Sequence, residues 1–260
     1  MARWDWYQAT VHGRSVESVR DALLSVFDLA DWAPGRPKNG YEQGAEVRRG
    51  DSVLAEVWWG GNPGVHVKGT GERAPAVREA LELVGPHLPS RVDACVDWIE
   101  AGLFDRLSAE LLAYAHAHGI RVNQVGDWSR GQARTLYLGS QQSPSQLVLY
   151  EKGYESGGDL DWVRLEVRIR PQRDAKAKVA TWEPLDAFRG SRWLCGALEA
   201  VGWGELVPHS VGTVRKPSDV DRQRAALLRQ YGRILAAWAD DCGGWDALGS
   251  ELAQALAVMG

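Results

Sequence analysis

Cysteine is scarce in this 260-residue chain: Cys95, Cys195 and Cys242 are the only three, and they lie far apart. They form no CxxC pair and no zinc spacing, and an odd count argues against a disulfide framework. They read as small buried or half-buried side chains. Apolar runs long enough to cross a bilayer are missing too, so no membrane partner is expected. The opening Met1-Ala2-Arg3-Trp4-Asp5-Trp6 is polar and aromatic, without the h-region of a signal peptide, and the expected location is cytoplasmic. No P-loop occurs, which excludes a chain that is its own helicase. Histidines do not cluster: His12, His66, His87 and His209 are scattered. His116-Ala117-His118 ends a helix candidate, Leu107–His118, where residues i and i+2 lie roughly 200° apart, so it cannot act as a strand-borne metal pair.

An excess of positive charge is missing as well. The formal net charge is -4, whereas proteins that depend on phosphate contacts alone are usually basic. Local charge departs from that balance. Between Val163 and Lys178 lie Arg164, Arg168, Arg170, Arg173, Lys176 and Lys178, opposed only by Glu166 and Asp174. Arg215, Lys216, Arg222, Arg224, Arg229 and Arg233 form a looser group, either a DNA surface or a solvated helix face. Tryptophan, by contrast, is abundant at 13 residues. Some must be core; Trp4, Trp6, Trp58 and Trp59 are also able to stack on unpaired bases. With 45% hydrophobic residues, the chain can bury the core of one large domain or two small ones.

Periodicity divides the chain into three regions. In residues 1–88, alternation predicts strands over 4–12, 41–48, 52–59 and 64–68, and helical spacing predicts helices over 15–28 and 73–84. On the first strand, strict alternation places Trp4, Trp6, Gln8 and Thr10 on one face. A Gly-, Pro- and Asn-rich loop spans Ala33–Gly40. Residues 89–180 begin similarly: strand 91–98, helix 104–118, then strands 120–126, 134–139, 146–151 and 162–170. Two successive α+β units of β-α-β-β-β type fit two packed sheets with helices outside. After Pro171 the pattern turns helical, with helix candidates at 172–179, 183–191, 192–200, 218–238 and 244–258; residues 181–260 form a helical C-terminal region with no clear helix-turn-helix.

Three segments concentrate chemistry. In Arg91-Val92-Asp93-Ala94-Cys95-Val96-Asp97-Trp98, strand geometry puts Arg91, Asp93, Cys95 and Asp97 on one face. Two carboxylates so placed can bind a hard divalent cation, or simply face solvent. In Leu147-Val148-Leu149-Tyr150-Glu151-Lys152-Gly153, Lys152 follows Tyr150 on the same strand face, where a cation favours the phenolate. A lone Tyr-x-Lys is otherwise ordinary. In Trp162-Val163-Arg164-Leu165-Glu166-Val167-Arg168-Ile169-Arg170, Glu166 stands in a basic row, either paired with its arginines or serving as a further ligand while they hold phosphates.

Taken in order, Arg-x-Asp-x-x-x-Asp, Thr135-Leu136-Tyr137-Leu138-Gly139-Ser140, Tyr-Glu-Lys-Gly and Arg-Leu-Glu-x-x-x-Arg are more specific than their parts. The sequence resembles the replication initiation factors of rolling-circle plasmids and filamentous phages, the trans-acting Rep family. The resemblance runs from about Asp5 to about Tyr231 and is strongest from Arg91 to Arg170. His66-Val67-Lys68-Gly69 and Gln230-Tyr231-Gly232 are weaker members of the pattern. It implies an α+β, HUH-like nuclease fold without the two-histidine motif, followed by a helical C-terminal appendage. It also implies a site-specific DNA nickase that forms a covalent 5′-phosphotyrosine and leaves a 3′-OH primer. Carried onto this chain, the nucleophile is Tyr150, with Tyr137 and Tyr154 as fallbacks. Lys152 and Arg164 stabilise charge. Asp93, Asp97 and Glu166 hold Mg²⁺ or Mn²⁺. Arg91, Arg168, Arg170, Arg173, Lys176 and Lys178 bind DNA. The implied partners are origin DNA, as a single strand or an extruded hairpin, a host helicase and polymerase, and a second copy of the chain. Two alternatives stay open: a non-catalytic DNA-binding replication regulator and a metal-dependent nuclease without a covalent step.

Overall fold

The computed structural model describes residues 1–204, 206–209, 211 and 219–259. Arg215 and Lys216 of the looser basic group lie outside these, as do the side chains of Arg222 and Arg229. The chain divides into two compact units, Met1–Val214 and Arg215–Gly260.

Most elements of the larger unit follow from local sequence. The first strand, β1 (Arg3–Val11), leads to α1 (Val16–Val26). Ser15 caps that helix, its hydroxyl accepting from the Ser18 backbone N–H at 3.3 Å, while Glu17 complements the dipole and Val19 and Leu23 face inward. Strands β2 (Asp31–Pro34), β3 (Gln43–Arg49), β4 (Ser52–Trp59) and β5 (Val65–Thr70) follow, then α2 (Ala74–Val84), which presents Val77 and Leu81 to the core. The second half comprises β6 (His87–Ile99), α3 (Leu103–Ala117), β7 (Val122–Asp127), β8 (Gln132–Leu138), β9 (Ser145–Glu151), α4 (Lys152–Ser156) and β10 (Trp162–Ile169). Three short helices, α5 (Ala175–Ala180), α6 (Pro184–Ala187) and α7 (Arg192–Ala200), complete the unit. The smaller unit is a pair of helices, α8 (Asp219–Cys242) and α9 (Trp245–Met259), joined by a Trp238 Nε1–Glu251 hydrogen bond of 3.1 Å. No described helix is long and apolar enough to cross a membrane.

The two packed sheets expected from the sequence are instead one antiparallel sheet of ten strands, ordered β2-β3-β4-β5-β1-β6-β10-β9-β8-β7. The reason is direct pairing of β1 with β6, which welds the halves edge to edge. From the centre outward, one half runs β1, β5, β4, β3, β2 and the other β6, β10, β9, β8, β7, so the strand order repeats.

Alternation then sorts side chains by face. Tyr7, Ala9, Val67, Val92, Ala94, Leu149, Leu165 and Val167 are fully or almost fully buried in one apolar cluster with Leu23, Leu81 and Leu111 of the helices. Each buried leucine of this kind is worth about 2 kcal/mol. The opposite face of the central strands carries the polar rows that contain Asp93, Glu166 and Tyr150.

The β1 register departs from strict alternation. Trp4 pairs with Ala94 and Trp6 with Asp93, so Asp5 is the extra residue of a β-bulge. Trp4 therefore turns into the core beside Tyr7, at 2% exposure, and not outward with Trp6. Asp5 turns onto the polar face.

Candidate active site

The polar face holds a cavity of about 430 Å³ over the second half of the sheet. Asp5 and Trp6 of β1, Arg91 and Asp93 of β6, Glu166 and Arg168 of β10, Tyr150 of β9 and Tyr137 of β8 line it, with Lys152 and Tyr154 at its α4 edge. Strand register makes these neighbours. Asp93 lies opposite Arg168, Glu166 opposite Val148, and Tyr150 opposite both Arg164 and Thr135.

Tyr150 donates its hydroxyl hydrogen to Glu166 Oε2 at 3.3 Å and accepts from Arg164 Nη1 at 3.5 Å. Burial, and then the negative charge of Glu166, push the phenol well above its ordinary range. The phenol is thus hydrogen-bonded on both sides and held protonated.

Glu166 is 3% exposed and accepts from Arg168 Nε at 2.7 Å through its other oxygen. Asp93, 2% exposed, is clasped by the Arg91 guanidinium. Its carboxyl is pushed up, first by burial and then by the charge of Glu166, against the pull of Arg91 and Arg168. Two buried carboxylates thus face a common cavity and repel each other, and a divalent cation would relieve that repulsion. Their hard oxygens suit Mg²⁺ or Mn²⁺, which take one or two carboxylates and complete their shell with water and substrate phosphate. Among the described residues no three His, Cys, Asp or Glu side chains converge as a ready cage.

Asp97 is placed differently from Asp93. One oxygen accepts from Trp162 Nε1 at 2.9 Å and Arg164 Nε at 2.6 Å, the other from Arg3 at 2.7 Å and Arg164 Nη2 at 3.1 Å. It does not line the cavity. Its carboxyl is lowered, burial opposing but the Arg164 and Trp162 hydrogen bonds prevailing. Asp5 stands on the cavity wall instead, accepting from Arg164 Nη1 at 2.9 Å. Arg164 is itself buried behind the wall and saturated by Asp5 and Asp97, so it braces Tyr150 from beneath. The order of residues does not reveal Asp5; the only sign is the broken alternation between Trp4 and Tyr7.

The sequence expects Lys152 on the same face as Tyr150. The strand ends at Glu151, however, and Lys152 opens α4. Its ammonium pairs with Glu155 at 2.9 Å and lies 5.7 Å from the Tyr150 ring centroid, over the ring and not on the hydroxyl. Gly153 permits this turn: a Cβ there would strike the carbonyl of Asp159. Glu151, also on the cavity wall, is held by Arg134, which donates to it at 2.7 Å from its backbone and 2.9 Å from its side chain.

Of the expected DNA-binding residues, Arg91 and Arg168 line the cavity. The Arg91 guanidinium stacks 4.1 Å from the Trp6 ring centroid. Arg170 is half-buried beside Arg91 and Arg168, which lower its pKa together with burial, the largest cause. Arg173 and Lys178 are exposed and Lys176 half-buried, all three beyond the end of β10. His116 and His118 end α3, where His118 Nδ1 meets the Tyr114 carbonyl at 2.9 Å.

Residues 92–195 match the family model described as replication initiation factor. No curated protein matches the chain. Among solved structures, a rolling circle replication initiator protein from Geobacillus stearothermophilus matches with a TM-score of 0.55 and 22% identity, over 86% of this chain and 90% of that one. In sequence across residues 92–195, and in fold across most of its length, the chain is similar to replication initiation factors.

Proposed function

We propose that this chain initiates rolling-circle replication by nicking one strand of origin DNA through Tyr150. The observation that carries the reading is the Tyr150 hydroxyl hydrogen-bonded to Glu166 in the cavity that Asp93, Arg91 and Arg168 also line.

In the proposed step the Tyr150 oxygen forms a bond to phosphorus and the bond from phosphorus to the 3′ oxygen breaks. The phenol proton passes through Glu166 Oε2, which already accepts from it, to solvent, leaving the carboxylate ionised. The 3′ oxygen leaves, takes up a proton from solvent and becomes the primer hydroxyl. The 5′ phosphate stays on Tyr150. Arg168 and Arg91 lie where they neutralise the phosphate oxygens. Arg164, pinned by Asp5 and Asp97, fixes the height of the phenol. Asp93 and Glu166 would hold Mg²⁺ or Mn²⁺, which supplies a Lewis acid for the phosphate and the field that favours a phenolate. Because the phosphotyrosine conserves the bond energy of the phosphodiester, rejoining by the reverse step needs no ATP. Unwinding and synthesis fall to a helicase and a polymerase of the host, and a second copy of the chain would provide the second tyrosine for closing the product.

The test mixes the protein with a labelled single strand carrying its origin and either Mn²⁺ or a chelator. The reading predicts a covalent band in a denaturing gel with Mn²⁺, and none with chelator or with Tyr150→Phe. Cleavage without any covalent band would instead establish a hydrolytic nuclease, and binding without cleavage a regulator.

A further inference from the structure

Beyond Tyr137, on the side away from Tyr150, the sheet holds a second cavity of about 360 Å³. Arg121 just before β7, Asn123 of β7, Tyr137 of β8, Gly139 just after it, Gln142 of the following loop and Gln146 of β9 line it. Its wall therefore consists of amides, a guanidinium, backbone and one aromatic ring. Tyr137 belongs to both cavities, so whatever occupies the second lies one residue's width from the catalytic groups.

Gln146 is the telling residue. It is 1% exposed, and its Nε2 donates to the Gly139 carbonyl at 3.3 Å. That carbonyl can only accept, which fixes the amide orientation and leaves Oε1 as the other end. Oε1 has no hydrogen-bond partner among the described residues. A buried acceptor without a donor is costly, and this one belongs to a residue that lines the cavity, where a bound donor would satisfy it. The site offers a π-face in Tyr137, an unmet acceptor in Gln146, and further amide donors and acceptors in Asn123 and Gln142. Planarity, an N–H donor and mixed edge polarity together describe an unpaired nucleobase.

We infer that this cavity holds one extruded base of the strand being cut, next to the phosphate presented to Tyr150, with Gln146 accepting from its edge. The inference rests on the proposed function only in taking DNA as the strand bound. It adds a source of sequence preference that phosphate contacts alone cannot give.

The experiment measures binding by fluorescence anisotropy, without cleavage, to a mixed-sequence single strand of DNA and to an otherwise identical strand of abasic residues. Tyr150→Phe serves as the background, so that no covalent step intervenes. Each strand is tested against that background and against the same protein carrying Gln146→Leu or, at an exposed position, Asn123→Ala. The background should favour the base-bearing strand by roughly tenfold, and each added substitution should cut that preference by about threefold or more. Affinity for the abasic strand, which reports phosphate contacts, should hardly change. An equal preference in all three proteins, or none in the background, would overturn the inference. Because adduct formation is scored separately, a covalent band with an unaltered base preference removes the base site alone. A base preference that depends on Gln146, without any covalent band, removes the nicking mechanism alone.

Discussion

Tyr150, Glu166 and Asp93 show how alternation in a sequence becomes a shared site. Each was legible as a member of a strand row, and register brings all three to one cavity. Asp97 reads identically in the sequence but lies outside the cavity, where Arg3, Arg164 and Trp162 hold its oxygens. This difference separates two isosteric substitutions. Asp97→Asn leaves the buried Arg164 guanidinium short of a counter-charge and should cost about 3 kcal/mol in a denaturant melt. Burial already disfavours the charged form of Asp93, and Arg91 is partly exposed, so Asp93→Asn should melt near the unaltered protein while adduct formation is lost. Asp97→Asn melting like the parent protein would show that the Arg164 network does not brace the site. What could not be read from residue order was this division of labour, since a strand's own pattern does not say which partner waits across the ladder.

At the scale of elements, the informative departures are local. The bulge at Asp5 reverses the face of Trp4 and sets a carboxylate on the cavity wall. A period of two cannot reveal it in advance, although Trp4 and Tyr7 both being core residues is its trace. Deleting Asp5 restores a regular ladder, with Trp4 still inward and Arg3 still outward. The shortened protein should fold, losing about 1 kcal/mol with the Asp5–Arg164 pair, and should form much less adduct. Loss of folding, scored by circular dichroism, would mean that the bulge is a structural necessity and not a device for placing Asp5. Strand β9 ends at Glu151 as its pattern predicts, but Lys152 does not continue its face. The close approach of the Asp159 carbonyl to Gly153 turns the chain into α4. The short β2 lies where Gly, Pro and Asn predict only a loop, because β3 offers it an edge to pair with.

For the larger unit as a whole, the number of strands and helices was largely legible, but their assembly into one sheet was not. Faces follow from alternation; neighbours follow from long-range pairing such as Trp6 with Asp93, which leaves no mark on either strand alone. The first half of the sheet carries its own buried polar group, and that group sets a pH limit on stability. His66 is 6% exposed, with Gln8 and Thr10 on its two ring nitrogens, Tyr41 and Trp58 against its ring, and Lys176 as the nearest influential charge. Burial, then Lys176, lower its pKa to about 4 from 6.5. The unfolded chain therefore binds a proton that the folded chain refuses between those values, so stability falls as pH drops through that window and levels below it. The loss should approach about 3 kcal/mol. Denaturant melts of the parent and of His66→Gln, compared from pH 7 to pH 4, should differ by that slope; parallel curves would contradict the assignment.

The central claim is that Tyr150 is the nucleophile. The direct measurement is to trap the covalent complex with Mn²⁺ and origin strand, digest protein and DNA, and locate the remaining nucleotide by mass spectrometry. The account predicts a nucleotide phosphate on the peptide containing Tyr150 and on no other. The same phosphate on Tyr137 or Tyr154, both of which line the cavity, would contradict it.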